Sequence, residues 1–146
     1  MAKNLVSCLA VFILMIAGAP TRARQSSQVA GTPQSAAALQ TESDEYTRYE
    51  LLAPDSASFK IYYEVTATTA GAKYYFNPIR KGSVASDESV IDAMTGQPLH
   101  FGVVSGAEAR KDPLMSDADL DTNYIKVSLA RPVPPDGQGR LIILKT

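Results

Sequence analysis

The chain has 146 residues, 45% of them hydrophobic, with 14 basic and 15 acidic side chains and a formal net charge of −1. That length suits one folded domain rather than two. The balanced charge, with no Lys/Arg cluster and no acidic or basic tail, leaves nucleic-acid binding without an electrostatic basis.

The first element is an apolar run of 15 residues, Leu5 to Ala19, preceded by Lys3 and followed by small residues, Arg22 and Arg24. This order of parts predicts a secretory signal peptide. The run is shorter than the roughly 20 residues a spanning helix needs, and no stop-transfer pattern follows. Two sites fit the small-x-small cleavage rule: Ala17-Gly18-Ala19 and Thr21-Arg22-Ala23. The first would leave Pro20 at the new terminus, so cleavage is expected after Ala23. An uncleaved leader is the alternative, and it would be the chain's only link to a membrane. Cys8 precedes most of the apolar core, whereas a lipidated cysteine should follow it. It is also the only cysteine. The processed chain therefore has no disulfide, no thiol chemistry and no cysteine-bound metal. An exported domain without disulfides fits a bacterial periplasmic or extracellular protein better than a small stapled module. Removal of residues 1–23 takes away Lys3 and Arg22, leaving 12 basic and 15 acidic side chains, a net of −3.

Residues 24–45 are rich in Gln, Ser, Thr, Ala and Gly, with almost no large apolar side chain. Such a stretch cannot bury enough surface to offset its ordering entropy, and it reads as a flexible linker. The folded domain is expected over residues 46–146.

Within it the pattern has period two. Phe59, Ile61, Tyr63, Val65 and Ala67 share one face, and Lys60, Tyr62, Glu64, Thr66 and Thr68 the other. This predicts a half-buried antiparallel strand. Thr69–Ala72 turns the chain, Lys73–Phe76 begins a return strand, and Asn77-Pro78 stops it. A second hairpin is predicted from Ser89–Asp92 through Gly96, which supplies a positive φ, to Pro98–Val104. An irregular acidic loop, Ala107 to Asn123, leads to a strand at Tyr124–Leu129. Pro132, Pro134 and Pro135 end it, and Arg140–Leu144 returns. Leu141-Ile142-Ile143-Leu144 is apolar on both faces. Such a run suits a strand covered on both sides, and is a hazard at an open edge. Either it pairs centrally in the sandwich, or a segment that should follow it is missing. Six or seven short strands with no sustained helical period predict an all-β fold, an antiparallel sandwich of immunoglobulin-like size; an open barrel is the alternative.

Tyr124 to Thr146, with its Ala-Arg-Pro-Val-Pro-Pro-Asp-Gly-Gln-Gly turn, resembles the closing hairpin of the N-terminal β domain in exported bacterial proteins related to aminopeptidase N, the gluzincin metallopeptidases. Asp92-Ala-Met-Thr-Gly-Gln-Pro-Leu99 resembles the earlier hairpin of such domains. The resemblance spans about Phe59 to Thr146 and rests on strand and turn grammar. It implies a sandwich that precedes a thermolysin-like zinc domain. The family's H-E-x-x-H site is missing, since His100 is the only histidine. No zinc ligand or catalytic residue is carried over, no cofactor is implied, and the implied partner is a downstream metallopeptidase-like domain or another envelope protein.

The remaining chemistry is sparse. His100 lacks a second ligand for a metal site and a nucleophile for a triad, so it reads as a surface or cross-strand residue. Asp117, Asp119 and Asp121 alternate like the first ligands of a calcium loop. The EF-hand pattern then fails, with Thr122 at the glycine position and Ser128 at the glutamate position, and a solvated acidic loop is the alternative. Tyr62, Tyr74 and Tyr75 are candidates for an aromatic face toward peptide or glycan. Adjacent strand residues point to opposite sides, however, so at most one of Tyr74 and Tyr75 can join Tyr62. No acid, base or nucleophile set stands at a meaningful spacing. The sequence therefore predicts a non-catalytic exported β-sandwich with a structural or interaction role. The alternative is a freestanding ligand-binding module for calcium, peptide or glycan.

Overall fold

The computed structural model describes residues 39–146. The predicted leader, its cleavage site at Ala23 and most of the predicted linker lie outside the described residues.

Among the described residues, seven strands form two antiparallel sheets, as an all-β sandwich requires. They are β1 (Glu42–Leu51), β2 (Phe59–Ala67), β3 (Tyr74–Pro78), β4 (Ser89–Asp92), β5 (Phe101–Ser105), β6 (Asn123–Ser128) and β7 (Gly139–Lys145). The four-stranded sheet has the order β1-β2-β7-β4, and the three-stranded sheet β3-β6-β5. The apolar alternation of β2 places Tyr63, Val65 and Ala67 in the core. They meet Val90, Leu141 and Ile143 of their own sheet and Tyr75, Ile125 and Val127 of the other.

The folded region begins earlier than residue 46. Glu42 to Glu45, expected in the linker, belong to β1, which pairs along β2 from Glu42↔Ala67 to Leu51↔Phe59. Gln40 and Thr41 are also fixed: Thr41 N–H donates to Thr69 Oγ1 at 2.7 Å. β1 shows no apolar alternation because it is an outer strand, exposed along all ten residues.

The predicted hairpins have a different geometry. β2 pairs with β1 and β7, whereas β3 pairs with β6, so the turn after β2 carries the chain across to the opposite sheet. The β6–β7 turn does the same. After β4, the Gly96 turn (φ +72°) closes a short ladder, with Leu99 N–H donating to Val90 O. The chain then leaves to pair Phe101 with Val127 in the other sheet. Val133 plugs one such crossing: it is buried, donates to Ala72 O and accepts from Gly71 N–H. β7 pairs centrally between β2 and β4; its inner Leu141 and Ile143 are fully buried, and its outer Ile142 and Leu144 are half buried.

The 106–122 segment does more than join β5 to β6. One helical turn, α1 (Gly106–Ala109), is capped by Ser105 Oγ, which accepts from Glu108 N–H. A 3₁₀ turn, Pro113–Met115, is capped by Asp112, whose carboxylate accepts from Leu114 N–H. Ala109, Met115 and Ala118 pack with Phe76 and Tyr124, so the loop covers the outer face of the smaller sheet.

Among the described residues, one buried side-chain group stands unsatisfied. Thr66 is fully buried and its Oγ1 has no hydrogen-bond partner. An orphaned hydroxyl keeps its desolvation cost, whereas valine has the same shape without it. Thr66→Val is expected to stabilise the domain by about 1 kcal/mol, read as a higher urea midpoint at unchanged slope.

Candidate functional site

The two sheets differ in width, and the difference leaves a groove. On its inner face β1 extends beyond the cover that β3 provides. The space of about 730 Å³ between them is lined by the inner side of β1 and β2, by β3 and by the 79–85 loop. Tyr49, Phe59 and Ile61 supply an apolar wall, with the Tyr49 ring edge-on to Phe59 at 5.5 Å.

A bulge in β1 builds the polar end of this groove. Glu42 and Glu45 are three residues apart and would point to opposite faces of a regular strand. The register with β2 shifts between Ser43 and Tyr46, and Asp44 takes φ +50°, a left-handed conformation that aspartate tolerates. Both carboxylates therefore turn inward. Tyr63 Oη donates to Glu45 Oε1, and Tyr75 Oη donates to Glu42 Oε2. The two phenol oxygens are themselves 3.1 Å apart. One hydrogen-bonded cluster thus joins both sheets.

Its electrostatics follow from burial. Desolvation raises the Glu42 pKa above the usual carboxylate range, with the neighbouring Glu45 adding to it against the lowering effect of the Tyr75 hydrogen bond. Burial pushes both phenols up, and the hydrogen bonds to Glu45 and Glu42 add to this. Tyr63 and Tyr75 accordingly hold their protons at physiological pH and act as donors.

The second polar layer is Lys145 with Asn77. Lys145 Nζ donates to Asn77 Oδ1 at 2.6 Å. Burial lowers the Lys145 pKa, offset in part by Glu88. Lys145 stands opposite Ile61 in β2, two residues from Tyr63, and Asn77 is two residues from Tyr75. Both sheets thus place the cation one same-face position, roughly 7 Å along the strand direction, from the tyrosines that hold the carboxylates.

The sequence-predicted site residues lie elsewhere. Asp119 and Asp121 face Lys81, whose Nζ is 3.0 Å and 3.7 Å from their Oδ2 atoms. The other oxygen of Asp119 accepts from Asp121 N–H at 2.9 Å. An ammonium sits where a calcium ion was expected, and Asp117 does not join them. Among the described residues, no three His, Cys, Asp or Glu side chains converge as a metal set. The three tyrosines share no face. Tyr62 lies on the outer side of the larger sheet, donating to Glu64 with Arg48 over its ring. Tyr74 lies on the outer side of the smaller sheet, under Lys126. Tyr75 is in the core. His100 is exposed, and its backbone carbonyl accepts from Ser128 N–H.

Sequence reasoning missed Glu42, Glu45 and Lys145. Its one available signal was Asp44, a residue suited to the left-handed bulge position, standing between two glutamates. Comparison with family models, with curated proteins and with solved structures found no match to this chain.

Proposed function

We propose that the chain is a non-catalytic, exported β-sandwich interaction domain whose groove receives an extended polypeptide segment. The observation that supports this reading is an inward carboxylate pair, Glu42 and Glu45, held by Tyr63 and Tyr75, with Lys145 one layer from those tyrosines in the same open groove. The carboxylates keep free lone pairs for the N–H donors of a lysine or arginine side chain. Lys145 offers a donor to a carboxylate. In an extended peptide, side chains at i and i+2 lie on one side and are roughly 7 Å apart. The groove therefore matches a cation and an acid separated by one residue. Tyr49 is level with Lys145 and Phe59 one same-face position beyond it, so the two wall the acidic end of the segment. The segment comes from a downstream metallopeptidase-like domain or from another envelope protein, as the sequence resemblance implies.

The test is calorimetric titration with the pentapeptide Ala-Lys-Ala-Asp-Ala and its control Ala-Lys-Asp-Ala-Ala, whose charges point to opposite sides when extended. The first is expected to bind, and the control to bind at least about tenfold more weakly. Glu45→Gln and Lys145→Met are each expected to weaken the first peptide by about tenfold or more, since each leaves a desolvated charge unpaired. Equal affinity for the two peptides, or no response to either substitution, would refute the reading.

A further inference from the structure

Among the described residues the outer edge of β1 pairs with no strand, and it carries a second surface that shares Thr47 and Tyr49 with the groove. Leu52 N–H donates to Ser58 O, so alternation turns the backbone groups of Tyr46, Arg48 and Glu50 toward β2. Those of Thr47, Tyr49 and Leu51 point outward. The bulge at Ser43–Tyr46 disrupts the first half of this edge, but Thr47 to Leu51 is flat and free of proline. Edges of this kind are normally blocked, and two others here are. Gln40 caps β3, its carboxamide bonding Phe76 O at 3.0 Å and Phe76 N–H at 2.8 Å, and Pro78 lacks a donor. The outer edge of β4 is taken up by Gln97 and Leu99. On β1 the side chains are left bare as well: Tyr46 is 54% exposed, Tyr49 61% and Leu51 83%.

We propose that this edge pairs with the same edge of a second copy of the chain, antiparallel, about a two-fold axis at Tyr49. In that register Tyr49 faces Tyr49, and Thr47 faces Leu51 of the other copy. These are the residues with outward backbone groups, and each facing pair exchanges two hydrogen bonds. Between them, Arg48 of each copy stands beside Glu50 of the other on the outer face, an opposite-charge cross-strand pair made twice. The neighbouring in-face registers fail on charge. Centring on Arg48 or on Glu50 sets like charges face to face. Centring on Thr47 runs Tyr49 into the bulged Glu45. The two larger sheets then form one continuous sheet, and Tyr49 and Leu51 leave water. A single strand pair is smaller than a standard interface of about 1,600 Å², so the dimer has micromolar rather than nanomolar strength.

Sedimentation equilibrium of the full chain tests this. At roughly 100 μM the dimer is expected to dominate, and at roughly 1 μM the monomer. Arg48→Glu should raise the dissociation constant by about tenfold, because two favourable pairs become two repulsive ones. The charge swap Arg48→Glu/Glu50→Arg should return it to within about threefold of the original. Tyr49→Pro removes an outward N–H and no bond to β2, and should give a monomer. Thermal unfolding of each variant reports whether it is folded. A monomer at all concentrations overturns the proposal. So does a dimer indifferent to Arg48→Glu and Tyr49→Pro, which would place association on another surface such as the β5 edge.

Discussion

Gly106→Ala is expected to cost about 3 kcal/mol, with a fall in Tm of roughly 10–20 °C. Gly106 opens α1 at the end of β5, where the chain turns back over the smaller sheet. A Cβ built there would lie 1.9 Å from the carbonyl oxygen of Asp119 and 2.9 Å from Leu120 Cα. Both are backbone atoms, so no side chain can rotate out of the way. The 119–120 segment would have to move, and with it the contacts that hold the 106–122 cover. These include the Asp119 N–H donated to Tyr124 Oη at 3.0 Å and the Arg110 Nε donated to Ala118 O at 2.6 Å. Behind them lies the cluster of Phe76, Ala109, Met115, Ala118 and Tyr124. Gly102 is the control. Nothing lies within 4 Å of a Cβ placed there, so Gly102→Ala should be neutral or slightly stabilising, as for a glycine replaced within a strand. Urea unfolding of the two variants compares them directly. Equal stability would mean that the loop does not pack on β5 as described.

The second large effect is at the centre of the core. Ile143→Ala should destabilise by roughly 3–4 kcal/mol, as expected for truncating a fully buried isoleucine that leaves a cavity. Ile143 is fully buried between Tyr63 of β2 and Val90 of β4, its register partners. Ile142, its neighbour, lies on the outer face between Glu64 and Ile91 and is only half buried. Ile142→Ala should therefore cost about 1 kcal/mol, by its smaller loss of buried area. Two adjacent isoleucines in one apolar run thus have different expected costs. Equal costs would contradict the central placement of β7.

That run shows what the sequence carries and what it leaves out. The β2 alternation was legible because its two faces meet different surroundings. Continuous apolarity in β7 was legible as a central strand, paired along both edges, whose inner Leu141 and Ile143 are fully buried and whose outer Ile142 and Leu144 are half covered. β1 was hidden for the converse reason: an outer strand with an uncovered inner face needs no apolar residue on either side, so Glu42–Glu45 read as linker. The turns at Gly71, Gly96 and Gly137 were recognisable as turns, but local chemistry does not say whether the next strand pairs with its predecessor or crosses to the facing sheet. That choice depends on burying Phe101, Ile125 and Val127 against the larger sheet, a long-range matter. The groove was the least legible feature. Its carboxylates share a face only because of the bulge, and their partners Tyr63 and Tyr75 belong to different sheets. Conversely, the spacing of Asp117, Asp119 and Asp121 suggested a cation loop. In the fold Lys81, distant in sequence, reaches Asp119 and Asp121.

On the proposed function, the bulged end of β1 and Lys145 together bind one extended segment. Intermolecular nuclear Overhauser effects between Ala-Lys-Ala-Asp-Ala and the isotope-labelled chain test it most directly. Contacts are expected from the peptide lysine to the Tyr63 and Tyr75 rings, and from its C-terminal alanine to Ile61 and Phe59. Contacts confined to the outer faces of the sheets, or none at millimolar peptide, would contradict it.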